Sequence, residues 1–214
     1  MKLYNYWRSS ASWRVRIALA YKGIAYEYVP VNILPAVGEN RADGYRAINP
    51  MTQVPTLVLD DGRQLSQSMA ILEYLEELAP KPSLLPADPY LRARARQLAE
   101  LVNSGIQPFQ NLPTLKLFSD GGLDPKKVAA DFIARGLGAM EASAQAHAGA
   151  FLVGDQPSFA DVCLVPQLNA ARRFELDVAQ WPLLARVEEA CMKLSAFQSA
   201  HADRQPDAVA AGAK

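Results

Sequence analysis

Hydroxyl and guanidinium side chains cluster at residues 8–14, where the sequence is Arg-Ser-Ser-Ala-Ser-Trp-Arg. A short aromatic segment typical of a strand precedes them, and a helical pattern begins at Ser12, so the cluster occupies a strand-to-helix loop. The unpaired N–H groups and the dipole at the start of that helix favour a bound anion. Ser10 or Ser12 can instead act as a simple helix cap, which is the favoured interpretation of this segment taken alone.

Two further segments carry groups that suit a peptide-like anionic ligand. Val54 and Pro55 stand directly before a strand, and a cis peptide bond between them would expose the N–H and C=O of Val54 as an edge for pairing. Ser68 follows Gln67 at the start of a later helix and offers a hydroxyl and an amide to a carboxylate, although capping explains it equally well. Each of these signals is weak by itself.

Composition excludes several other kinds of chemistry. Of the 214 residues, 50% are hydrophobic and 21% are charged, which is typical of a globular protein of two domains. A formal net charge of zero gives no attraction for nucleic acid or an anionic membrane. The N-terminus lacks a signal-peptide pattern and no apolar run is long enough to span a membrane, so we expect a cytoplasmic protein. Cys163 and Cys191 form no CxxC motif, and His147 and His201 stand alone, so no metal site is expected.

Residues 1–80 alternate between strand-like and helical patterns in the order β-α-β-α-β-β-α, which predicts an α/β module with a mixed sheet. Asp60, Asp61 and Gly62 predict the turn of a hairpin between the last two strands. The predicted segments are residues 2–6, 12–22, 26–31, 39–47, 56–59, 63–65 and 67–78.

A stretch rich in proline follows this module and predicts a linker. Beyond it strand patterns disappear, and helices are predicted at residues 91–103, 125–146, 159–173 and 183–193. Ser158 and Asp161 form a capping box at the start of the third of these helices. The predicted organisation is an α/β domain, a linker, an all-α domain and a disordered tail, at residues 1–80, 81–88, 89–207 and 208–214.

Taken together, these motifs resemble the cytosolic glutathione transferases, and more narrowly their zeta class, the maleylacetoacetate and maleylpyruvate isomerases. The similarity covers nearly all of residues 1–207. It is carried by segments 8–19, 49–55, 67–68, 105–111, 161–167, 170–174 and 204–207. The resemblance implies a thioredoxin-like first domain, glutathione as cofactor and a homodimer. It also implies a reaction in which a maleyl-keto acid is isomerised from cis to trans by reversible thiolate addition.

The resemblance also implies roles for individual residues. Ser9 would stabilise the glutathione thiolate, with Ser10 lining the same site. Other contacts to glutathione would come from Asn40, Val54, Pro55, Gln67 and Ser68, and, from the helical domain, Gln107 and Asn111. The small-molecule substrate, a carboxylate, would be bound by Arg173, with Arg8 as a second candidate and Ala11 beside it.

This sequence departs from the family pattern at two positions. Ala11 replaces the usual cysteine of a Ser-Ser-Cys motif, so its thiol has no role here, and we expect an effect on substrate fit rather than on mechanism. Asn40 stands where relatives often carry glutamine, so one glutathione contact is expected to be shortened or lost.

A comparison of energies indicates what Ser9 must do. Lowering a thiol pKa from about 8.5 by two units needs about 2.7 kcal/mol. A helix N-terminus supplies about 0.3–1 kcal/mol, whereas a hydrogen bond to a charged acceptor supplies about 1.5–3 kcal/mol. The dipole alone is too small, and the dipole with one hydroxyl bond is enough. Ser9 is therefore expected to be a hydrogen-bond donor rather than a nucleophile.

Three alternatives to an isomerase remain at this point. A general glutathione transferase that conjugates electrophiles or dehalogenates α-halo acids would use the same thiolate but would consume it. A non-catalytic interaction module would have a broken glutathione site, whereas Ser9, Val54 and Ser68 are all present. A thiol-disulfide oxidoreductase would need a cysteine near residues 9–12, and none is there.

Overall fold

The structure, a computed structural model, describes residues 1–210. It divides into two compact units. Unit 1 combines Met1–Ser83 with residues 194–210, which we name the return segment, and unit 2 is Leu84–Lys193. This division corrects the predicted one, because residues 81–83 of the predicted linker and residues 194–207 of the predicted all-α domain belong to unit 1.

Unit 1 is built on a mixed sheet of four strands in the order β2-β1-β3-β4. β1 is parallel to β2, and the other two pairings are antiparallel. The predicted α/β class and element order are confirmed, although the weak helix expected at residues 39–47 is a 3-10 turn at Glu39–Arg41 followed by α2. The elements are β1 (Lys2–Asn5), α1 (Ser10–Tyr21), β2 (Glu27–Pro30), α2 (Asp43–Ile48), β3 (Thr56–Val58), β4 (Gln64–Ser66) and α3 (Ser68–Leu78).

The strand register brings the three candidate segments of unit 1 to one edge of the sheet. Tyr4 pairs with Thr56, and Thr56 pairs with Ser66, so these residues form one row across β1, β3 and β4. The chain leaves β1 and β4 at this edge and enters β3 there. The loop before α1, the residues before β3 and the start of α3 therefore lie side by side.

The proline-rich stretch is tied to unit 1 by a buried lysine. Lys22 caps the C-terminus of α1, and its Nζ forms an ion pair with Glu76 at 2.7 Å. The same ammonium donates to the carbonyl oxygens of Ala79 at 2.7 Å and Pro82 at 3.0 Å. Because a buried ammonium needs several acceptors, it holds residues 79–82 against unit 1, although residues 81 and 82 were expected to belong to a linker.

Unit 2 is helical within the described residues. The capping box is present, since the Asp161 carboxylate accepts the Ser158 amide at 2.7 Å and also the Leu152 amide at 2.8 Å. The helix at Leu112–Asp120 was not predicted; none of its residues is fully buried, and Leu115 and Phe118 on one face are half-buried. The helices are α4 (Pro89–Asn103), α5 (Leu112–Asp120), α6 (Pro125–Ala144), α7 (Phe159–Arg173) and α8 (Pro182–Met192).

The return segment contains two short helices, α9 (Ser195–Ser199) and α10 (Pro206–Ala210). The disordered tail expected at residues 208–214 is therefore wrong for residues 208–210, where Ala208 is fully buried. The rest of that expected tail, residues 211–214, lies outside the described residues. Within residues 1–210, no helix has the length and apolar character needed to span a membrane.

Candidate active site

Ser9 is the N-cap of α1, and its Oγ accepts the backbone N–H of Ser12 at 3.2 Å. This corrects the expectation that Ser10 or Ser12 would be the cap of a helix beginning at Ser12. Capping and function do not compete at Ser9, because the hydroxyl accepts in the cap and its own proton remains available to donate. Ser9 is half-buried, so a ligand can reach it.

Ser68 is the first residue of α3 and does not act as a cap. Its Oγ accepts a bond at 3.1 Å from Nη1 of Arg14, a fully buried side chain of α1. Since the oxygen accepts from a cation, the hydroxyl proton of Ser68 is available to another acceptor, and the guanidinium adds positive charge beside the helix N-terminus. Both features suit a carboxylate.

Gln67 lies immediately before α3 with a φ of 71° and a ψ of 114°. A positive φ is rare for a residue other than glycine and costs about 1–3 kcal/mol. Such strain is found mainly where a site requires it, which supports a ligand-binding role for Gln67.

The peptide bond between Val54 and Pro55 is cis. Among the described residues, no hydrogen bond joins the backbone N–H or C=O of Val54 to another group. Because unpaired backbone groups are uncommon where a chain is packed, this peptide edge is suited to pairing with a peptide-like ligand.

The turn before Val54 is fixed by side chains from outside it. The Tyr45 hydroxyl donates to the Gln53 carbonyl oxygen at 2.6 Å, and the Asn49 amide donates to the same oxygen at 2.7 Å. Asn40 donates to the Thr52 carbonyl oxygen at 2.7 Å. Asn40 therefore has a local structural contact, and its expected contact to glutathione stays a prediction.

The remaining candidates of unit 1 surround the start of α1. Ser10 is buried, and Ala11 is half-buried in the first turn. The guanidinium carbon of Arg8 lies 5.6 Å from the ring centroid of Trp7, so a cation–π contact holds this side chain next to the Ser9 loop.

Unit 2 holds the other predicted residues. Gln107 and Asn111 meet through an amide contact of 3.4 Å. Arg172 and Arg173 are both exposed at the C-terminus of α7, and Arg172 donates to Glu188 at 2.7 Å and forms an ion pair with it. Arg172 therefore has an acidic partner on α8, and the role expected for Arg173 stays a prediction.

The two cysteines provide no reactive thiol. Cys163 and Cys191 are both free and fully buried, as expected of core residues. Burial also raises the pKa of the Cys191 thiol, with Asp161 and Glu188 adding to the effect. Any thiolate must therefore come from a ligand.

Several residues that build the site were not found from the sequence. Arg14 supports Ser68, Tyr45 supports the turn before Val54, and Arg16 is buried beneath the Ser9 loop. The sequence does contain one indication of such buried arginines. Arg14 and Arg16 are the two charged residues in the otherwise apolar segment 13–19, and their spacing does not place them on one solvent-exposed helix face.

The groups of unit 1 match a small peptide thiol with a free carboxylate. The Ser9 hydroxyl can donate to sulfur, the Val54 edge can pair with a peptide bond, and Ser68 with Arg14 can bind a carboxylate. All three are carried by segments at one edge of the sheet, and both α1 and α3 begin there.

Family models match both parts of the chain: the glutathione S-transferase N-terminal domain at residues 8–78 and the C-terminal domain at residues 126–194. The maleylacetoacetate isomerase of Rattus norvegicus is 48% identical over 205 residues, which are 96% of this chain and 94% of that protein. A bacterial maleyl pyruvate isomerase, described as a zeta-class glutathione S-transferase, has a TM-score of 0.91 and 41% identity, covering 97% of this chain and 99% of the other.

A maleylacetoacetate isomerase from Anaeromyxobacter dehalogenans 2CP-1, solved with glutathione bound in its active site, is also similar. Its TM-score is 0.88, its identity is 54%, and the match covers 97% of each chain. Another structure of that name from the same organism contains dicarboxyethyl glutathione and citrate in the active site, with a TM-score of 0.86, 51% identity and coverage of 97% and 96%.

Proposed function

Since this chain belongs to the glutathione S-transferase family, we propose that it isomerises a maleyl-keto acid from cis to trans with glutathione as its cofactor. The substrate is maleylacetoacetate or maleylpyruvate. The observation that carries this proposal over other activities of the family is the 54% identity, over 97% of each chain, with a maleylacetoacetate isomerase crystallised with glutathione. The groups at the sheet edge of unit 1 fit that cofactor.

The first step is binding of glutathione in unit 1. The Val54 peptide edge, next to Pro55, pairs with the cysteinyl backbone, and Gln67 with Ser68 holds the γ-glutamyl carboxylate. Arg14 supports this by donating to Ser68 Oγ at 3.1 Å, which leaves the hydroxyl proton for the carboxylate. Asn40 is a further candidate contact.

The second step is control of the thiol. When bound, glutathione supplies a thiolate that adds reversibly to the cis double bond, so that the carbon–carbon bond can rotate before the thiolate leaves. Ser9 donates its hydroxyl proton toward the sulfur and so favours the charged form over the thiol. Ser10 lines the same region. Glutathione is regenerated, so no thiol is consumed.

The third step is binding of the substrate carboxylate. Arg173 is the principal candidate, because the family resemblance assigns it this role and it is exposed at the end of α7. Arg8 is a second candidate, and Ala11 contributes shape without a thiol. Gln107 and Asn111 of unit 2 are proposed as further ligand contacts. A guanidinium binds a carboxylate and stabilises negative charge that develops during the reaction.

The family resemblance also supports a homodimer located in the cytoplasm. Closed two-fold dimers are the commonest assembly of soluble proteins. Sedimentation at micromolar concentration tests the first point, and a single species near the chain mass of 23.4 kDa would rule the dimer out.

The test of the function is an assay of both maleyl substrates with glutathione at a concentration far below that of the substrate. We expect full conversion from cis to trans with the total free thiol unchanged. Loss of one thiol per product formed would instead identify a conjugating transferase. No reaction together with no glutathione binding would identify a non-catalytic module.

A further inference from the structure

The return segment has no part in the function proposed so far, although its residues 204–207 are among those that resemble the family. It is firmly structured in unit 1. The Gln205 amide is buried and donates to the carbonyl oxygens of Ser199 at 2.9 Å and His201 at 2.8 Å. The His201 ring packs edge-on against the Trp13 ring of α1, with centroids 4.7 Å apart.

Asp207 connects this segment to the loop that carries Ser9. One carboxylate oxygen accepts the backbone N–H of Trp7 at 3.0 Å, and the other accepts the Tyr28 hydroxyl. Tyr28 lies on β2, so the carboxylate is fixed between a sheet residue and the loop. Trp7 stands only two positions before Ser9, and its N–H donates to a residue that lies 200 positions later in the chain.

Arg16 completes the attachment by binding the other backbone polar group of Trp7. Its Nη2 donates to the Trp7 carbonyl oxygen at 2.8 Å, and its Nε donates to the Ala200 carbonyl oxygen at 3.3 Å. Arg16 is 1% exposed, and burial lowers its pKa to about 10, while Asp207 opposes that effect. The return segment thus supplies a hydrogen-bond acceptor and a counter-charge to this buried guanidinium.

These contacts determine the geometry of residues 6–9, which we name the Ser9 turn. The Ser9 amide donates to the Tyr6 carbonyl oxygen at 3.0 Å, and Arg16 Nη1 donates to the same oxygen at 3.3 Å. The backbone N–H of Trp7 is also hydrogen-bonded to Asp207, and its C=O accepts from Arg16. The turn before the cap of α1 is therefore fixed by one side chain from beneath it and by one from the return segment.

We propose that Asp207 is a positioning residue that holds the Ser9 turn so that the Ser9 hydroxyl is aimed at the glutathione sulfur. This inference rests on the proposed function. A hydrogen bond weakens steeply when it is bent, so a turn that is free to move by a few tenths of an ångström loses much of its effect on the thiol. Asp207 acts through Ser9 and touches no ligand itself.

The experiment compares the pKa of enzyme-bound glutathione in variants, measured without substrate from the ultraviolet absorbance of the thiolate. Asp207→Ala is expected to raise this pKa by about half of the shift that Ser9→Ala causes, because the hydroxyl remains but is less well aimed. In a chain that already carries Ser9→Ala, Asp207→Ala is expected to cause no further shift. Asp207→Asn keeps an acceptor for the Trp7 N–H, so the pKa of bound glutathione is expected to stay close to that in the unmodified protein.

The matched control is Asp203→Ala, since Asp203 lies on the same segment but is exposed and contacts only His201 within it. This variant is expected to leave the pKa of the bound thiol unchanged. Hydrogen exchange of the Trp7 amide gives an independent measurement, and exchange should be faster in Asp207→Ala than in Asp203→Ala.

The outcomes separate this inference from the function beneath it. If the unmodified protein binds no glutathione, or leaves its thiol pKa at the free value, the proposed function fails. If it lowers that pKa and Asp207→Ala lowers it equally, or if the Asp207 and Ser9 effects simply add, the positioning role is refuted. Where Asp207→Ala does not fold, the comparison is made with Tyr28→Phe, which removes the hydroxyl that fixes the Asp207 carboxylate, and an unchanged thiol pKa in that variant would refute the role equally.

Discussion

Replacing Ser9 with alanine removes two hydrogen bonds that differ in kind. One is structural, because Ser9 Oγ accepts the Ser12 N–H at 3.2 Å and caps α1. The other is the proposed bond from the Ser9 hydroxyl to the glutathione sulfur. Loss of the cap is expected to cost about 1 kcal/mol of unfolding free energy, and loss of a bond to a charged acceptor costs about 1.5–3 kcal/mol.

The second loss predicts the kinetic effect. A bond worth about 1.5–3 kcal/mol corresponds to a pKa change of about one to two units. The bound thiol should therefore titrate at a higher pH, the pH–rate profile should move by the same amount toward alkaline pH, and the rate at pH 7 should fall about tenfold to a hundredfold.

Two controls separate the cap from the chemistry. Ser9→Gly also removes the hydroxyl, but glycine is tolerated at an N-cap and costs only a few tenths of a kcal/mol, so the thiol pKa should rise while stability is nearly kept. Asp124→Ala removes the N-cap of α6, which accepts the Lys126 and Lys127 amides, and should lower stability without changing the thiol. If Ser9→Gly binds glutathione with an unchanged thiol pKa, Ser9 is only a cap and the argument fails.

Three further variants test other contacts. Ser68→Ala should weaken glutathione binding by about 1–3 kcal/mol, since it removes a donor to the γ-glutamyl carboxylate, and unchanged affinity by calorimetry would exclude Ser68 from the site. Arg173→Ala should raise the KM for maleyl substrates and leave both the thiol pKa and the turnover of a neutral electrophile nearly unchanged, with Arg172→Ala as the control; equal damage to charged and neutral substrates would make Arg173 structural. Asp161→Ala leaves three buried donors of Leu152 and Ser158 unpaired and should cost about 3 kcal/mol or more in a denaturant titration. Burial raises the pKa of Asp161 from 3.8 to about 6, so the unfolding free energy of the unmodified protein should fall as pH rises from about 4 to about 6, and this part of the pH dependence should vanish in Asp161→Ala.

The elements that could be predicted from sequence are those in which apolar residues recur at regular spacing, because one face of the element packs against a core. α7 was predicted at its observed bounds, Phe159–Arg173, because a capping box marks its start and apolar residues recur along it. α5 was missed because it has only nine residues, and its apolar residues Leu115 and Phe118 give a single short repeat. The single-turn helices of the return segment are too short for a period to be recognised.

The candidate site shows the same limit. The loop that contains Ser9, the segment at Val54 and the residue Ser68 were singled out because each begins or precedes an element, and the role of Ser9 itself came from the family resemblance. Arg14 and Arg16 were not found, because helical periodicity assigns charged residues to solvent, whereas both guanidinium groups are buried and hydrogen-bonded. Such a role depends on partners such as Asp207 that lie far away in the chain, and local spacing carries no information about them.

Unit 1 contains residues that precede unit 2 in the chain and residues that follow it. During synthesis unit 1 therefore begins first but is completed last. The ribosome releases residues 84–193 before residues 194–210, so the helical unit is whole while the first unit still lacks Asp207 and the acceptor at Ala200. Domains of a nascent chain generally fold as units from the N-terminus onward, and here that order is reversed for the final step. A growing chain therefore carries Arg16 without its full set of partners until translation reaches the return segment, so the thiol activation proposed for Ser9 would be among the last properties that the protein acquires.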